Sequence, residues 1–234
     1  MPPFNPASIG APSPVGRGGG GGPTLIARRW FFSGTTDDAV PVGAKVCIAR
    51  GVGGGAGTGR DVGRNGGGAD FAKKSFLVSP GNNVTVSVGA GGTYTASATP
   101  GGNGGDTTAT YGGAIVMRAS GGQAYQQVAR PASIGDVVRA GGLGGASYSS
   151  SGVGQDGQSG GRGGLAGTVG NGQRGGGGGS GGDRGDPDSL NIYGNGNTAI
   201  PDTAIGYGGG GGDVINNSSG IGQPGVMCLE YWSA

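Results

Sequence analysis

GGRGGLAGTVGNGQRGGGGGSGGDRG, residues Gly160 to Gly185, is the stretch that decides how this chain is read. Counting every third residue from Gly161 collects Gly164, Gly167, Gly170, Gly176, Gly179, Gly182 and Gly185, with Gln173 as the one interruption. The next register collects the side chains Arg162, Leu165, Thr168, Asn171, Arg174, Ser180 and Asp183, with Gly177 among them. A repeat of three matches neither the α-helix nor the β-strand. It matches an extended left-handed helix of the polyproline II type, which has three residues per turn and no internal hydrogen bonds. Glycine edges let such helices approach main chain to main chain, because no Cβ stands between them. Each N–H and C=O must then find its partner on a neighbouring helix. The predicted core is therefore built largely from peptide backbone.

Composition agrees with that picture and narrows it. The 234 residues include 65 Gly and 13 Pro, a third of the chain, a composition that ordinarily marks disorder. Charge is low and balanced, 15 basic against 13 acidic residues, and short apolar runs recur between the glycine tracts. A flexible linker lacks such runs, and collagen is excluded by the absence of a long Gly-X-Y phase. Ordering glycine costs about 1–2 kcal/mol of backbone entropy per residue, so the fold requires dense backbone bonding supported by strands. Cys47 and Cys228 are far apart and each sits in an apolar run, which predicts free buried thiols rather than a disulfide framework. The N-terminus lacks a basic-then-apolar leader pattern, and no apolar stretch approaches about 18 residues. The expectation is synthesis in a host cytoplasm without a signal peptide, and no membrane insertion.

Along the chain, residues 1–24 hold six prolines and the run Gly18–Gly22, and read as an attachment arm or a linker. Residues 25–234 read as a glycine-rich β domain. Leu25–Phe32 is an aromatic strand, Ser33–Asp38 a turn, and Ala44–Arg50 a strand with Val46 and Ile48 on one face. Phe71–Gly89 reads as a hairpin about Pro80-Gly81-Asn82-Asn83, because Val84, Val86 and Val88 alternate with polar residues. Residues 90–113 read as polar, with small residues around Tyr94 and Tyr111, and no strand is assigned there. Ala114–Ala119 is a short strand, and 121–140 a loop with a short strand. Leu190–Gly206 reads as an exposed loop, and Gly225–Trp232 as a closing strand with Met227, Leu229 and Tyr231 on one face. The predicted class is all-β: a short-strand β-sandwich with packed polyglycine II-type helices, long surface loops and almost no α-helix.

Three pieces of this sequence resemble one family. An aromatic strand is followed by Ser33-Gly34-Thr35, the step Val40–Gly43, and the strand KVCIARGVGGGAG entering a glycine tract. The element FLVSPGNNVTVSVGAGG comes second, and the closing strand Pro224–Tyr231 third. Together they are similar to the glycine-rich distal domains of tailed-bacteriophage tail fibres and fibre-tip adhesins. The resemblance implies a virion tail protein whose loops touch the bacterial surface, with a host surface saccharide or outer-membrane protein as receptor. It also implies attachment to other tail or fibre proteins through the N-terminal arm, and a homo-oligomer of three copies. Such domains often end a longer fibre, so a chain of this length is expected to be a separate tip subunit.

Chemistry-bearing motifs are sparse. The chain has no His, the commonest general base and metal ligand, and no glycine run leads into Gly-Lys-Ser/Thr. Asp37-Asp38 and Asp186-Pro187-Asp188 offer oxygen ligands of the kind Ca²⁺ takes, but read as solvated turns. Arg-Gly-Gly at Arg17, Arg162 and Arg174 raises an RNA-binding reading, which the near-neutral charge opposes. Arg184-Gly185-Asp186 reads as chance, and the Asn-x-Ser/Thr triplets at Asn83, Asn216 and Asn217 carry no meaning without secretion. No cofactor, metal or nucleic-acid partner is expected, and no catalysis. The predicted receptor contacts are the loop side chains Tyr94, Tyr125, Tyr148, Tyr193 and Asn195, whose flat rings and adaptable amide suit binding loops. The bland reading of each tyrosine is packing on a neighbouring glycine helix. The alternative function is a purely structural virion subunit, a tail cap or capsid decoration.

Overall fold

The computed structural model describes residues 22–59, 66–95, 101–124, 131–144, 179–183, 190–192, 194, 206–211 and 220–234. The described part is all-β, without a helical residue. Its strands are β1 (Leu25–Phe31), β2 (Gly34–Ala39), β3 (Val46–Val52), β4 (Phe71–Leu77), β5 (Asn83–Val88), β6 (Thr107–Tyr111), β7 (Ala114–Ala119), β8 (Val137–Arg139) and β9 (Val226–Trp232). They form two antiparallel sheets, ordered β1-β9-β3-β4-β8 and β2-β5-β6-β7.

Alternation explains how the sheets face each other. Cys47 and Ala49 of β3, and Met227, Leu229 and Tyr231 of β9, point inward from the first sheet. They meet Val84, Val86, Val88, Ala109 and Met117 from the second in one buried cluster. Val46 and Ile48 do share a face, but it is the outer one, where both are only half-buried. Cys47 and Cys228 are buried free thiols, as expected.

Three local readings are corrected. Residues 34–39 are strand β2 rather than turn: edge pairing to β5 holds this polar segment, and Asp38 is buried beneath it. The segment 71–89 is not a hairpin. β4 pairs with β3 and β8, β5 with β2 and β6, so Pro80-Gly81 carries the chain from one sheet to the other. Thr107–Tyr111 is strand β6, hairpinned to β7 through Gly112 and Gly113 at φ 60° and 81°, the doubly positive pair a two-residue turn demands.

At one end of the sandwich the strands run on into glycine segments that are neither strand nor helix. Segment 53–58 continues β3 and lies at the centre. Gly53 and Ala56 donate to the carbonyls of Asp70 and Gly67; Gly54 and Gly57 donate to Gly105 and Gly102; Gly55 and Thr58 donate to Gln223 and Gly220. Each neighbour is revisited every third residue, the period of a polyglycine II helix. The carbonyls of Gly54, Gly55, Ala56 and Thr58 accept from Gly122, Gly92, Gly211 and Thr95. One helix thus bonds to six surrounding segments, giving to three and accepting from three.

The six also bond to each other around a closed ring. Segment 66–70 joins 120–123 (Gly67 to Gln123, Asp70 to Ser120), which joins 101–106 (Gly104 to Gly122). That segment joins 89–95 (Gly102 to Thr93, Gly105 to Ala90), which joins 220–225 (Gly222 to Gly92, Gly225 to Gly89). The ring closes through 208–211, bonded to Gln223 and Pro224 on one side and to Gly66 and Ala69 on the other. A Cβ added to Gly104 would stand 1.8 Å from the Gly54 carbonyl oxygen, and one on Gly54 2.0 Å from that of Ala90. Those distances state in steric terms why this body is made of glycine. The period-three tract that announced it lies outside the described residues, except for 179–183, which dock on the flank of the ring through Gly181 to Ala69.

Candidate functional site: the outer pole and its flank

Hydrogen-bond register fixes the two ends of the bundle. Gly53–Asp70, Gly225–Gly89 and Asp70–Ser120 lie beside the sandwich; Thr58–Gly220, Gly66–Gly211 and the bridge between Gly59 and Thr95 lie at the far end. Gly59, Gly66, Thr95, Gly101, Gly211 and Gly220 therefore sit at the outer pole. The first and last strands instead bring Thr24 and Ser233 together, Ser233 N donating to Thr24 O at 2.9 Å. The described ends of the chain thus lie at the sandwich end, opposite the pole that holds Gly59, Thr95 and Gly211.

Of the predicted contact residues, Tyr94 is described: it is half-buried on the ring segment 89–95, one residue from the outer bridge at Thr95. Tyr125, Tyr148, Tyr193 and Asn195 lie outside the described residues, as do Asp186, Asp188 and the three Arg-Gly-Gly arginines. Leu190–Gly206 is not wholly an exposed loop. Ile192 is buried and Leu190 half-buried against Val52, Phe71, Val226 and Cys228, on the outer face of the first sheet.

That face also holds a group of aromatic rings the sequence reading missed. Trp30 and Phe32 are two apart on β1 and its continuation, so they share a face. Their ring centroids lie 6.3 Å apart with planes 8° from parallel. Tyr207 extends the row, its centroid 5.9 Å from Phe32 and its plane tilted by 33°. Trp30 is 37% exposed and Phe32 49% exposed. Tyr207 is seated on the buried cluster of Val52, Phe71 and Val226, and burial raises its phenol pKa. It stands between Gly206 and Gly208, both at positive φ, a backbone kink that sets the ring against β1. The available signal was the spacing in RWFF, which puts Trp30 and Phe32 two residues apart.

Beside the rings lies a buried ionic cluster. Arg50 sits 3.3 Å from Glu230 and 4.0 Å from Asp183, all three essentially inaccessible. Arg28 caps the cluster from solvent, its Nε donating to Glu230 at 2.8 Å. Asp183 also accepts the backbone N–H groups of Leu190 and Ile192, at 2.9 and 2.8 Å. These contacts tie β1, β3 and β9 to segments 179–183 and 190–192; they are structural chemistry. Asp37 and Asp38, considered above as cation ligands, point to opposite sides of β2. Asp37 accepts from Thr85 Oγ1 at 2.6 Å, while Asp38 accepts from the Tyr231 hydroxyl at 2.7 Å and from Arg29. Among the described residues no group of His, Cys, Asp and Glu is arranged to hold a metal ion. No family model matches the chain, and no curated protein is significantly similar to it.

Proposed function

We propose that this chain is a non-enzymatic virion tail protein, a tail-fibre or tail-tip adhesin, that binds a bacterial surface receptor through loops carried on its polyglycine scaffold. The observation that carries the reading is the polarity of the molecule. A backbone-bonded bundle, stiff because its central helix is tied to six neighbours, separates the described chain ends from the outer pole. A rigid scaffold is what binding loops require to hold their contacts in place. Tyr94, Tyr125, Tyr148, Tyr193 and Asn195 are its proposed contacts, with a host saccharide or outer-membrane protein as receptor. The arm 1–24 attaches the subunit to other tail proteins, and the particle holds it as a homo-oligomer, three copies in a fibre-like arrangement. The protein acts on the virion, outside the cytoplasm that made it.

Purified protein added to host cells before phage should lower the adsorption rate constant in a saturable, concentration-dependent way. Unchanged adsorption at saturating protein overturns receptor binding and leaves the structural-subunit reading, in which the bundle supplies stiffness alone.

A further inference from the structure

We infer that the Trp30, Phe32 and Tyr207 rings form a stacking platform for an uncharged saccharide, on the seam between sandwich and glycine bundle. The inference rests on the adhesin reading and adds to it a ligand class and a site away from the outer pole. Exposed large apolar groups in contact with each other are the informative kind of surface feature. Here two rings lie within 8° of parallel, 6.3 Å apart, and a third continues the row. Pyranose rings present a flat face of C–H bonds, and neighbouring sugars in an oligosaccharide repeat on a similar spacing. Aromatic rings offer that face large contact area with little side-chain entropy to lose.

Charge and area select this ligand over the alternatives. Stacking of nucleic-acid bases requires a positive groove for the phosphates. The cation that shares the platform's face of β1, Arg28, is engaged by Glu230 at 2.6 Å. A stable protein partner covers about 800 Å² a side. Rings of this size, exposed to the extent seen, offer together on the order of 200–300 Å². That area suits one or two sugar rings. The platform is also preorganised: Tyr207 is fixed on the buried cluster and Trp30 is held by the pairing of β1 with β9.

The test is an array of defined bacterial surface oligosaccharides probed with the full chain, followed by titration of any binder using tryptophan emission and ring-proton NMR shifts. Binding should weaken at least tenfold in Trp30→Ala and in Phe32→Ala, and recover in Trp30→Phe, with melting temperatures unchanged in Phe32→Ala. No binder on the array, or a binder indifferent to both substitutions, overturns the platform. Adsorption competition by the same proteins separates the two readings. Competition that persists without saccharide binding keeps the adhesin and removes the platform. Absent competition with intact platform-dependent saccharide binding removes the adhesin reading and leaves the platform as a sugar site.

Discussion

The sandwich and the glycine bundle are built from the same chain segments, since seven of the nine strands run directly into, or out of, a glycine segment. They solve the problem of burial in opposite ways. In the sandwich, Val84, Val86, Leu229 and Tyr231 exclude water with side chains, and the backbone bonds only sideways within each sheet. In the bundle, side chains are nearly absent and the backbone bonds outward in every direction, six neighbours about the segment 53–58. The sandwich draws on apolar area, roughly 25 cal/mol per Å². The bundle has little such area to bury and relies on hydrogen bonds of about 1 kcal/mol net each, spent against the entropy of glycine. The difference teaches where each region tolerates change. A side-chain core accepts small losses of volume, whereas a main-chain core has no slack.

The largest predicted effect exploits that contrast. Gly104→Ala adds one methyl group 1.8 Å from the Gly54 carbonyl oxygen, a contact only backbone movement relieves. The central helix cannot yield without straining the other segments of the ring. We expect a loss of more than about 4 kcal/mol, beyond ordinary overpacking, seen as insoluble protein or a collapsed melting transition. Val86→Ala removes two methyl groups from the sandwich core and should cost only about 2 kcal/mol by transfer and cavity terms. If both variants melt alike, the bundle is more compliant than its bonding implies.

The ionic cluster at the seam comes next. Arg50→Met removes the cation between Glu230 and Asp183, both buried. Breaking a buried pair from one side costs about 3–5 kcal/mol, and because Glu230 keeps Arg28 the loss should fall at the lower end. Denaturant melts of Arg50→Met should show that loss. The triple replacement of Arg50, Asp183 and Glu230 by apolar residues should recover much of it. A triple variant no better than the single one would mean that Asp183 matters through its bonds to Leu190 and Ile192 rather than through charge.

How far this comparison was legible in the sequence differs between the two regions. Strand β7 was bounded correctly because AIVMRA stands out from the glycines around it, and β9 to within one residue because GVMCLEYW is a mostly apolar run near the end. The polyglycine principle was readable from periodicity, but not its location. In GGGAGT at 53–58, Ala56 and Thr58 interrupt the glycines yet are buried in the central helix, so no single-register count finds it. Strand β2 was hidden because Gly34-Thr35-Thr36-Asp37-Asp38 carries turn residues; its strand character comes from pairing with β5, and the burial of Asp38 comes from Tyr231, 193 residues away. Pro80-Gly81 specified a reversal correctly, but a turn within a sheet and a turn between sheets use the same residues. Only the distant partners β3 and β6 separate them. The aromatic row needed Tyr207 brought to β1, a contact across 175 residues that no local pattern encodes.

Two smaller changes sharpen the account of the sandwich. Tyr231→Phe deletes the hydroxyl that donates to Asp38 at 2.7 Å inside the core. Asp38 retains Arg29, so the loss should fall at about 1–3 kcal/mol, measurable as a shifted denaturant midpoint with unchanged slope. On the exposed rim, Gly113→Ala meets no atom within 4 Å, but its φ of 81° disfavours a Cβ. It should cost about 1–2 kcal/mol, a purely conformational term against which the steric effect at Gly104 can be calibrated.

The smallest effect concerns the thiols, which report on the sandwich without perturbing it. Burial raises both, and pushes Cys228 up to about 12, with Glu230 adding to the shift while Arg28 and Arg50 oppose it. The thiolate is the reactive species, so neither cysteine should react with a disulfide reagent at pH 8 in the native protein. Both should react once denaturant unfolds it. The same shift sets a pH dependence. A thiol whose folded pKa lies above its unfolded value near 9 contributes stability fully below pH 9. As pH climbs from 9 toward 12 the unfolded chain sheds protons that the folded one retains, and that contribution drains away. Melting temperature should therefore hold level up to about pH 9 and decline above it, and the decline should soften in Cys228→Ala and Cys47→Ala. A glycine bundle has no titrating group of this kind in its central helix. Backbone amides of Gly54, Ala56 and Gly57, followed by hydrogen exchange corrected for base catalysis, should accordingly lose protection only as the sandwich below them opens. Earlier loss in the bundle would mean that the two regions unfold separately, and that the ring of backbone bonds is not held by the strands that feed it.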